Sequence, residues 1–165
     1  LIFIASDNYS EQYLLNHHHS TDGGVSWEGD PTIIDSVPYP SVEEESTNEQ
    51  VAIDSNDNIH VLYTQNDGTH FLYGDEVYYT RSINGGESFE TPLVVGTGED
   101  SGDTQYSSIA CDSSGNPHIT FIQNRNSTDC CRPYYNRSTD GGATFGTPIL
   151  LGQVEASYVK VAIAP

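Results

Sequence analysis

The chain has 165 residues, long enough for one ordinary domain with a core of its own. Five Lys and Arg stand against 24 Asp and Glu, a formal charge of −19, which excludes nucleic acid and anionic membrane as natural partners and suits cations, neutral sugars or high-salt water. Such acidity can mark disorder, but 11 Tyr, 5 Phe, one Trp and regular β-branched runs predict a folded chain, and the longest apolar run, residues 1–5, is far short of a membrane span.

Taken in chain order, LIFIA (1–5) reads as a strand and residues 6–13 as a loop. LLNHHHS (14–20) is a second strand that leads into the octapeptide STDGGVSW (20–27), an apolar strand at 32–34 and a long connection at 35–50 carrying Glu43, Glu44, Glu45 and Glu49. VAI (51–53) is a short apolar strand, and a D-S-x-x-N turn then leads into a strand where Val61 and Tyr63 alternate with their neighbours at period two. A loop at 66–75 holds Asp67, His70 and Asp75. The Tyr-rich EVYYTRS (76–82), the octapeptide SINGGESF (82–89) and an apolar strand at 92–95 follow. After a connection at 96–106 with Glu99, Asp100 and Asp103, the series returns: IAC (109–111), a strand with Ile119 and Phe121, a loop at 124–131, RPYYNRS (132–138), STDGGATF (138–145) and an apolar strand at 148–151. Residues 152–158 connect to YVKVAIA (158–164), which reads as the opening strand of a further copy.

The octapeptide serines at 20, 82 and 138 set a period of 56 to 62 residues. The repeats run over 1–50, 51–107 and 108–157, with 158–165 starting another, in a single segment. Each repeat reads as four short strands, here called A to D, and no helical periodicity competes. The expected fold class is therefore all-β: a β-propeller of four-stranded antiparallel blades, about three of them in this chain. The sequence is cut between strands A and B. Rings of this type use about four to eight blades, so completion by a second copy, giving a six-bladed ring, or by further sequence is expected, with open edges that invite self-association. Leu at position 1 reads as a processed or excised piece, and no basic-then-apolar leader precedes it.

The pattern S-x-D-G-G-x-[ST]-[FW] resembles the Asp-box (BNR) repeat of the sialidase-like superfamily. Its positions here are Ser20, Asp22, Gly23, Gly24 and Trp27; Ser82, Asn84, Gly85, Gly86 and Phe89; and Ser138, Asp140, Gly141, Gly142 and Phe145. Physically it reads as a turn: the Asp or Asn accepts backbone N–H bonds, the paired glycines supply positive φ, and the aromatic ring buries beside the blade. Asn84 argues against catalysis at this position, since an amide keeps the acceptor oxygen but cannot serve as acid or nucleophile. The resemblance also implies that the box lies on the outer rim, away from the working face.

That face is expected at the loops and connections between boxes. Candidate ligand residues are Tyr106, Tyr158, Arg125, Arg132, Asp67 and His70. Tyr106 and Tyr158 share one position before strand A and either stack on a sugar ring or pack between blades. The resemblance implies a sialidase site of three arginines, a Tyr nucleophile with a Glu partner and an Asp acid/base. However, the chain has four arginines and no R-I-P stretch, and Arg81 and Arg137 sit on the rim directly before their boxes. No residue is carried over as catalytic.

The acidic loops could bind Ca²⁺, although no D-x-[DN]-x-[DN]-G loop is present; no other cofactor and no metal site are expected. His17, His18 and His19 read as surface or packing residues. His60 and His118 share one blade position, and Cys111 reads as a buried small hydrophobe. A disulfide between the neighbours Cys130 and Cys131 would be strained and labile, an intermolecular bond or two free thiols are equally open, and an odd cysteine count leaves at least one thiol unpaired within the chain. The sequons at Asn8, Asn126 and Asn136 fit an exported protein. The expected function is an extracellular or cell-surface module, non-catalytic, binding carbohydrate or an extracellular protein. The alternatives are a sialidase-like glycoside hydrolase with part of its site outside this chain, and a purely structural surface-assembly protein.

Overall fold

A computed structural model describes residues 2–9, 12–27, 29–38, 48–65, 76–97, 104–123, 131–152 and 155–164. These residues form eleven strands and no helix: β1 Ile2–Tyr9, β2 Gln12–His19, β3 Thr32–Pro38, β4 Gln50–Ile53, β5 Ile59–Gln65, β6 Glu76–Ser82, β7 Leu93–Thr97, β8 Thr104–Cys111, β9 Pro117–Gln123, β10 Arg132–Arg137 and β11 Ile149–Leu150. They build three antiparallel sheets in simple consecutive order, β1-β2-β3, β4-β5-β6-β7 and β8-β9-β10-β11, and none closes on itself.

Period-two alternation is what places these sheets. On β5, Ile59, Val61 and Tyr63 point one way and join Leu15 and Ile34 of the first sheet in one apolar cluster. Leu62 points the other way and joins Val77, Tyr79 and Val95 of its own sheet with Ile109, Ile119 and Phe121 of the third. The second sheet is thus buried on both faces between the other two. The sheets meet chiefly through their leading strands, with β4 touching both β1 and β8. The turn before β5 is an Asx turn, in which Asp54 Oδ1 accepts from Asn56 N and Asn58 N at 2.8 and 3.0 Å. Asp112 repeats it with Ser114 N and Asn116 N, both at 2.9 Å.

Several expectations are corrected. Residues 6–9 and 12–13, read as loop, are strand: β1 pairs with β2 out to Tyr9↔Gln12. The outer end of that ladder is polar, so the apolar alternation fails although the backbone bonds continue. β3 likewise runs on to Pro38 and β7 to Thr97, and β8 begins at Thr104, each taking residues from an expected connection. Residues 158–164 form no ladder among the described residues. Their burial still alternates, with Val159, Val161 and Ile163 half-buried, and Val161 N donates to Ser108 Oγ at 3.4 Å. They touch β8 at Tyr106 and Ser108.

Asn136 is buried, and its amide donates to the carbonyls of Val95 and Gly146. That side chain cannot carry a glycan in the folded chain. Asn8 lies on β1, and Asn126 falls outside the described residues. Cys111 is half-buried rather than buried, and burial still pushes its thiol up to about 12. Cys130 lies outside the described residues, so its pairing with Cys131 does too; Cys131 itself holds φ 66°.

Candidate functional site

The octapeptide turns are built alike. Ser20 Oγ donates to Asp22 Oδ1 and accepts from Gly24 N, while Asp22 Oδ1 also accepts from Val25 N and Ser26 N and Oδ2 from Ser26 Oγ. Ser138, Asp140, Gly142 and Thr144 repeat the arrangement, with Thr144 Oγ1 2.6 Å from Asp140 Oδ2. Asn84 fills the same position: its Oδ1 accepts from Ser82 Oγ and Ser88 N, and its Nδ2 donates to Ser88 Oγ. Both glycines of each turn sit at positive φ, from 69° to 95°. Bonds from Ser26 and Ser20 hold the Asp22 carboxyl, and bonds from Ser138 and Thr144 the Asp140 carboxyl, well below the usual range. These carboxylates are saturated by their own turns.

Each later turn docks on the sheet before it. Phe89 packs edge-on against His17 at 5.5 Å between ring centroids, and Phe145 against Tyr79 at 4.7 Å. Arg81 pairs with Glu90, Nε to Oε2 2.9 Å, and its Nη1 donates to the Gly141 carbonyl. Trp27 departs from expectation: the residue is 38% exposed rather than buried.

Beneath the turns lies a repeated contact that sequence reading missed. Tyr79 Oη is 2.7 Å from His60 Nδ1, and His60 Nε2 lies 3.4 Å from Asp54 Oδ2. Tyr135, His118 and Asp112 repeat it at 2.6 and 3.3 Å. The neutral His60 tautomer with its proton on Nε2 leaves Nδ1 to accept from Tyr79 Oη. Nε2 then faces Asp54 without the hydrogen bond that His118 makes to Asp112, and burial, opposed by Asp54, pushes the imidazole pKa down. The shared position of His60 and His118, each six residues after an Asp, was the available signal. Occurring twice, once fully buried, this chain of groups latches strands.

His17 is buried under the second turn, as a packing residue; with His18, His19, Asp30 and Glu87 it lines a cavity of about 450 Å³. Among the described residues no group of His, Cys, Asp and Glu is placed to hold a metal ion.

On the opposite, loop-bearing side the structure brings together one repeated position. Asn48, Tyr106 and Tyr158 each stand three residues before the first residue of an apolar strand A run (Val51, Ile109 and Val161), and they touch in series. The Asn48 amide oxygen, oriented to satisfy its neighbours, accepts from Tyr106 N at 3.1 Å and from Ser107 N, and its carbonyl accepts from Ser107 Oγ. Tyr106 then meets Tyr158, ring centroids 4.8 Å apart. A bulge between Gln105 and Ser108 produces this, with Tyr106 at φ 45°, an uncommon backbone state for an aromatic residue. The two residues are 43% and 72% exposed. Beside Asn48, Glu49 carries a buried Oε1 with no hydrogen-bond partner among the described residues.

Arg132 begins β10, opposite Gln123 on the same side of the third sheet. Arg125, Asp67 and His70 lie outside the described residues, as do Glu43, Glu44, Glu45, Asp75, Glu99, Asp100 and Asp103. No described helix is long and apolar enough to cross a membrane.

No protein-family model matches the chain, and no curated protein matches it. Solved structures do. An α-L-arabinanase of Penicillium chrysogenum, complexed with arabinobiose, superposes with a TM-score of 0.60 at 12% identity, over 88% of this chain and 44% of that one. The NanB sialidase of Streptococcus pneumoniae (K499G mutant) gives 0.54 at 14%, over 87% of this chain and 20% of that one. An ulvan lyase, a polysaccharide lyase, gives 0.53 at 12%, over 90% and 34%. The chain thus spans less than half the length of each, and what it shares with these sialidase- and arabinanase-like β-propeller proteins is their fold.

Proposed function

We propose that this chain is an extracellular propeller module that binds neutral carbohydrate without cleaving it, its three sheets serving as blades and its octapeptides as Asp-box clamps. The observation that carries the reading is the Tyr106–Tyr158 pair: two exposed aromatic faces in contact, one of them set on strained backbone by a bulge. Strain at an exposed aromatic costs stability and persists where the surroundings impose it, a mark of binding surfaces. A sugar ring laid on such a face gains apolar contact. A field of −19 repels anionic glycans and favours neutral ones.

The carbohydrate-active neighbours support a glycan ligand in general. Arg81 and Arg137 stand on the turn-bearing rim, away from the tyrosines, which supports binding over sialoside hydrolysis. Titration calorimetry with arabino-oligosaccharides and with sialyl-lactose, with and without Ca²⁺, tests the reading. Neutral sugar should bind, and Tyr158→Ala should weaken it at least tenfold, about 1.4 kcal/mol. Release of reducing ends would establish the hydrolase alternative; binding of neither sugar would leave the scaffold or protein-binding role.

A further inference from the structure

Asn84 and Gly85 are the only Asn-Gly pair in the chain, and they stand where the other two octapeptides carry Asp-Gly. An Asn side chain before glycine can close on its own backbone. The glycine nitrogen attacks Cγ, ammonia leaves, and a cyclic imide forms that water reopens. Glycine permits this because it has no Cβ to hinder the approach.

The second turn supplies what that reaction needs. Asn84 Oδ1 accepts from Ser82 Oγ at 2.8 Å and from Ser88 N at 3.1 Å, so two donors already face the oxygen on which negative charge develops when Cγ is attacked. Nδ2, the leaving nitrogen, donates to Ser88 Oγ at 2.8 Å. Gly85 holds φ 73° with open space where a Cβ would stand, and both residues are exposed, so water reaches them. In the third turn the corresponding Gly141 N is committed to Asn116 Oδ1 at 3.0 Å, whereas no such bond holds Gly85 N among the described residues. The product also has a ready seat. The Asp22 and Asp140 carboxylates each take a further bond, at 2.6 Å, from the hydroxyl four residues on, Ser26 or Thr144, and Ser88 stands at that place in the second turn.

We propose that Asn84 is a self-modification site, at which the folded turn promotes hydrolysis of the side-chain amide through an imide with Gly85 and delivers aspartate. The bond from Gly85 N to Cγ forms as the bond from Cγ to Nδ2 breaks, and the Gly85 amide proton joins Nδ2, which leaves as ammonia. Water then adds across the bond between Cγ and Gly85 N, restoring the peptide N–H and leaving a carboxyl on Cγ. The donors on Oδ1 polarise this same carbonyl in the imide and so direct water to it. Opening at the Asn84 backbone carbonyl would give an isoaspartyl link instead. That link lengthens the turn by one backbone atom and displaces Gly86 and Phe89 from the His17 ring, which the packed frame resists. Conversion adds a negative charge to the wall of the cavity that Asn84 shares with His17, His18 and His19.

The full chain is incubated in mildly alkaline buffer, native and unfolded in guanidinium, in water enriched in heavy oxygen, and the peptide containing Asn84 is followed by mass spectrometry. Expected are loss of the Asn84 amide in the native chain at least as fast as in the unfolded one, uptake of one solvent oxygen, and a smaller isoaspartyl share in the native chain. Ser82→Ala removes one donor from Oδ1 and should slow the native reaction at least about tenfold while leaving the unfolded rate alone. If that variant fails to fold, the native-to-unfolded comparison of the parent chain decides without it. Asn84→Asp, the product made directly, should match the parent in circular dichroism. An Asn84 amide that persists in the native chain while the unfolded chain converts overturns the proposal. So does an isoaspartyl share as large in the native chain as in the unfolded one, or an Asn84→Asp chain that does not fold.

Discussion

Gly142 lies against the hydroxyl end of the Tyr79 ring, so close that a Cβ at residue 142 would overlap the phenol oxygen. Gly142 also holds φ 95°, and the two constraints add. Gly142→Ala should cost about 2–4 kcal/mol, from left-handed strain plus displacement of a buried ring. Gly23, at φ 76° with open space around it, pays only the first, and Gly23→Ala should cost about 1–2 kcal/mol. Urea midpoints of the two variants decide the ranking, and equal losses would mean that docking on Tyr79 contributes nothing.

Asp22 and Asp140 give the fold an acid limit. Their folded pKa values are depressed by hydrogen bonds within the turn, so they bind fewer protons folded than unfolded. Their stabilisation is complete above the ordinary value of 3.8 and is lost as pH falls below it toward the folded values. Asp112, lowered to about 2 by bonds from Asn116, adds to the same limb. Asn84 shows that an amide closes the same turn without titrating. The Asp22→Asn, Asp140→Asn double variant should therefore show a flatter loss of melting temperature below pH 4, with its neutral-pH fold unchanged by circular dichroism.

Much of the fold is legible because a repeat multiplies weak signals. Val61 and Tyr63 alone are a short alternating run, but Ile119 and Phe121 at the same offset from another D-S-x-x-N turn make them a strand. The reading failed where the local pattern was polar, as at residues 6–9, or where burial is set by tertiary packing, as at Trp27. A sequence position carries no record of whether another sheet stands beside it. The Tyr106 bulge was invisible too, since it depends on Asn48, 58 residues away, reaching the amides at the start of β8.

The His60 latch should be worth more than its copy. Tyr79→Phe removes the hydroxyl facing His60 Nδ1 in a fully buried site and should cost about 1–3 kcal/mol, whereas Tyr135→Phe, at a half-buried one, should cost less than about 1 kcal/mol. Because burial lowers the His60 pKa, charging that ring opposes folding. Its contribution is whole above the ordinary value of 6.5 and is lost as pH falls from there toward the folded value. Nuclear magnetic resonance of the His60 ring should show it titrating below 6.5, and a midpoint above 6.5 would mean that the Asp54 carboxylate outweighs burial.

Tyr106 separates binding from packing. Asn tolerates the left-handed region better than an aromatic residue does, so Tyr106→Asn relieves the strain at φ 45° while removing an exposed ring. If that ring serves a ligand, the variant should be as stable as the parent, or more stable by up to about 1 kcal/mol, and should bind neutral oligosaccharide at least tenfold more weakly. If instead the ring packs the third sheet against residues 158–164, stability should fall by about 1–2 kcal/mol with sugar affinity unaltered. Urea midpoints and calorimetry on the same sample distinguish the two, because removing a binding ring lowers affinity alone and removing a packing ring lowers stability alone.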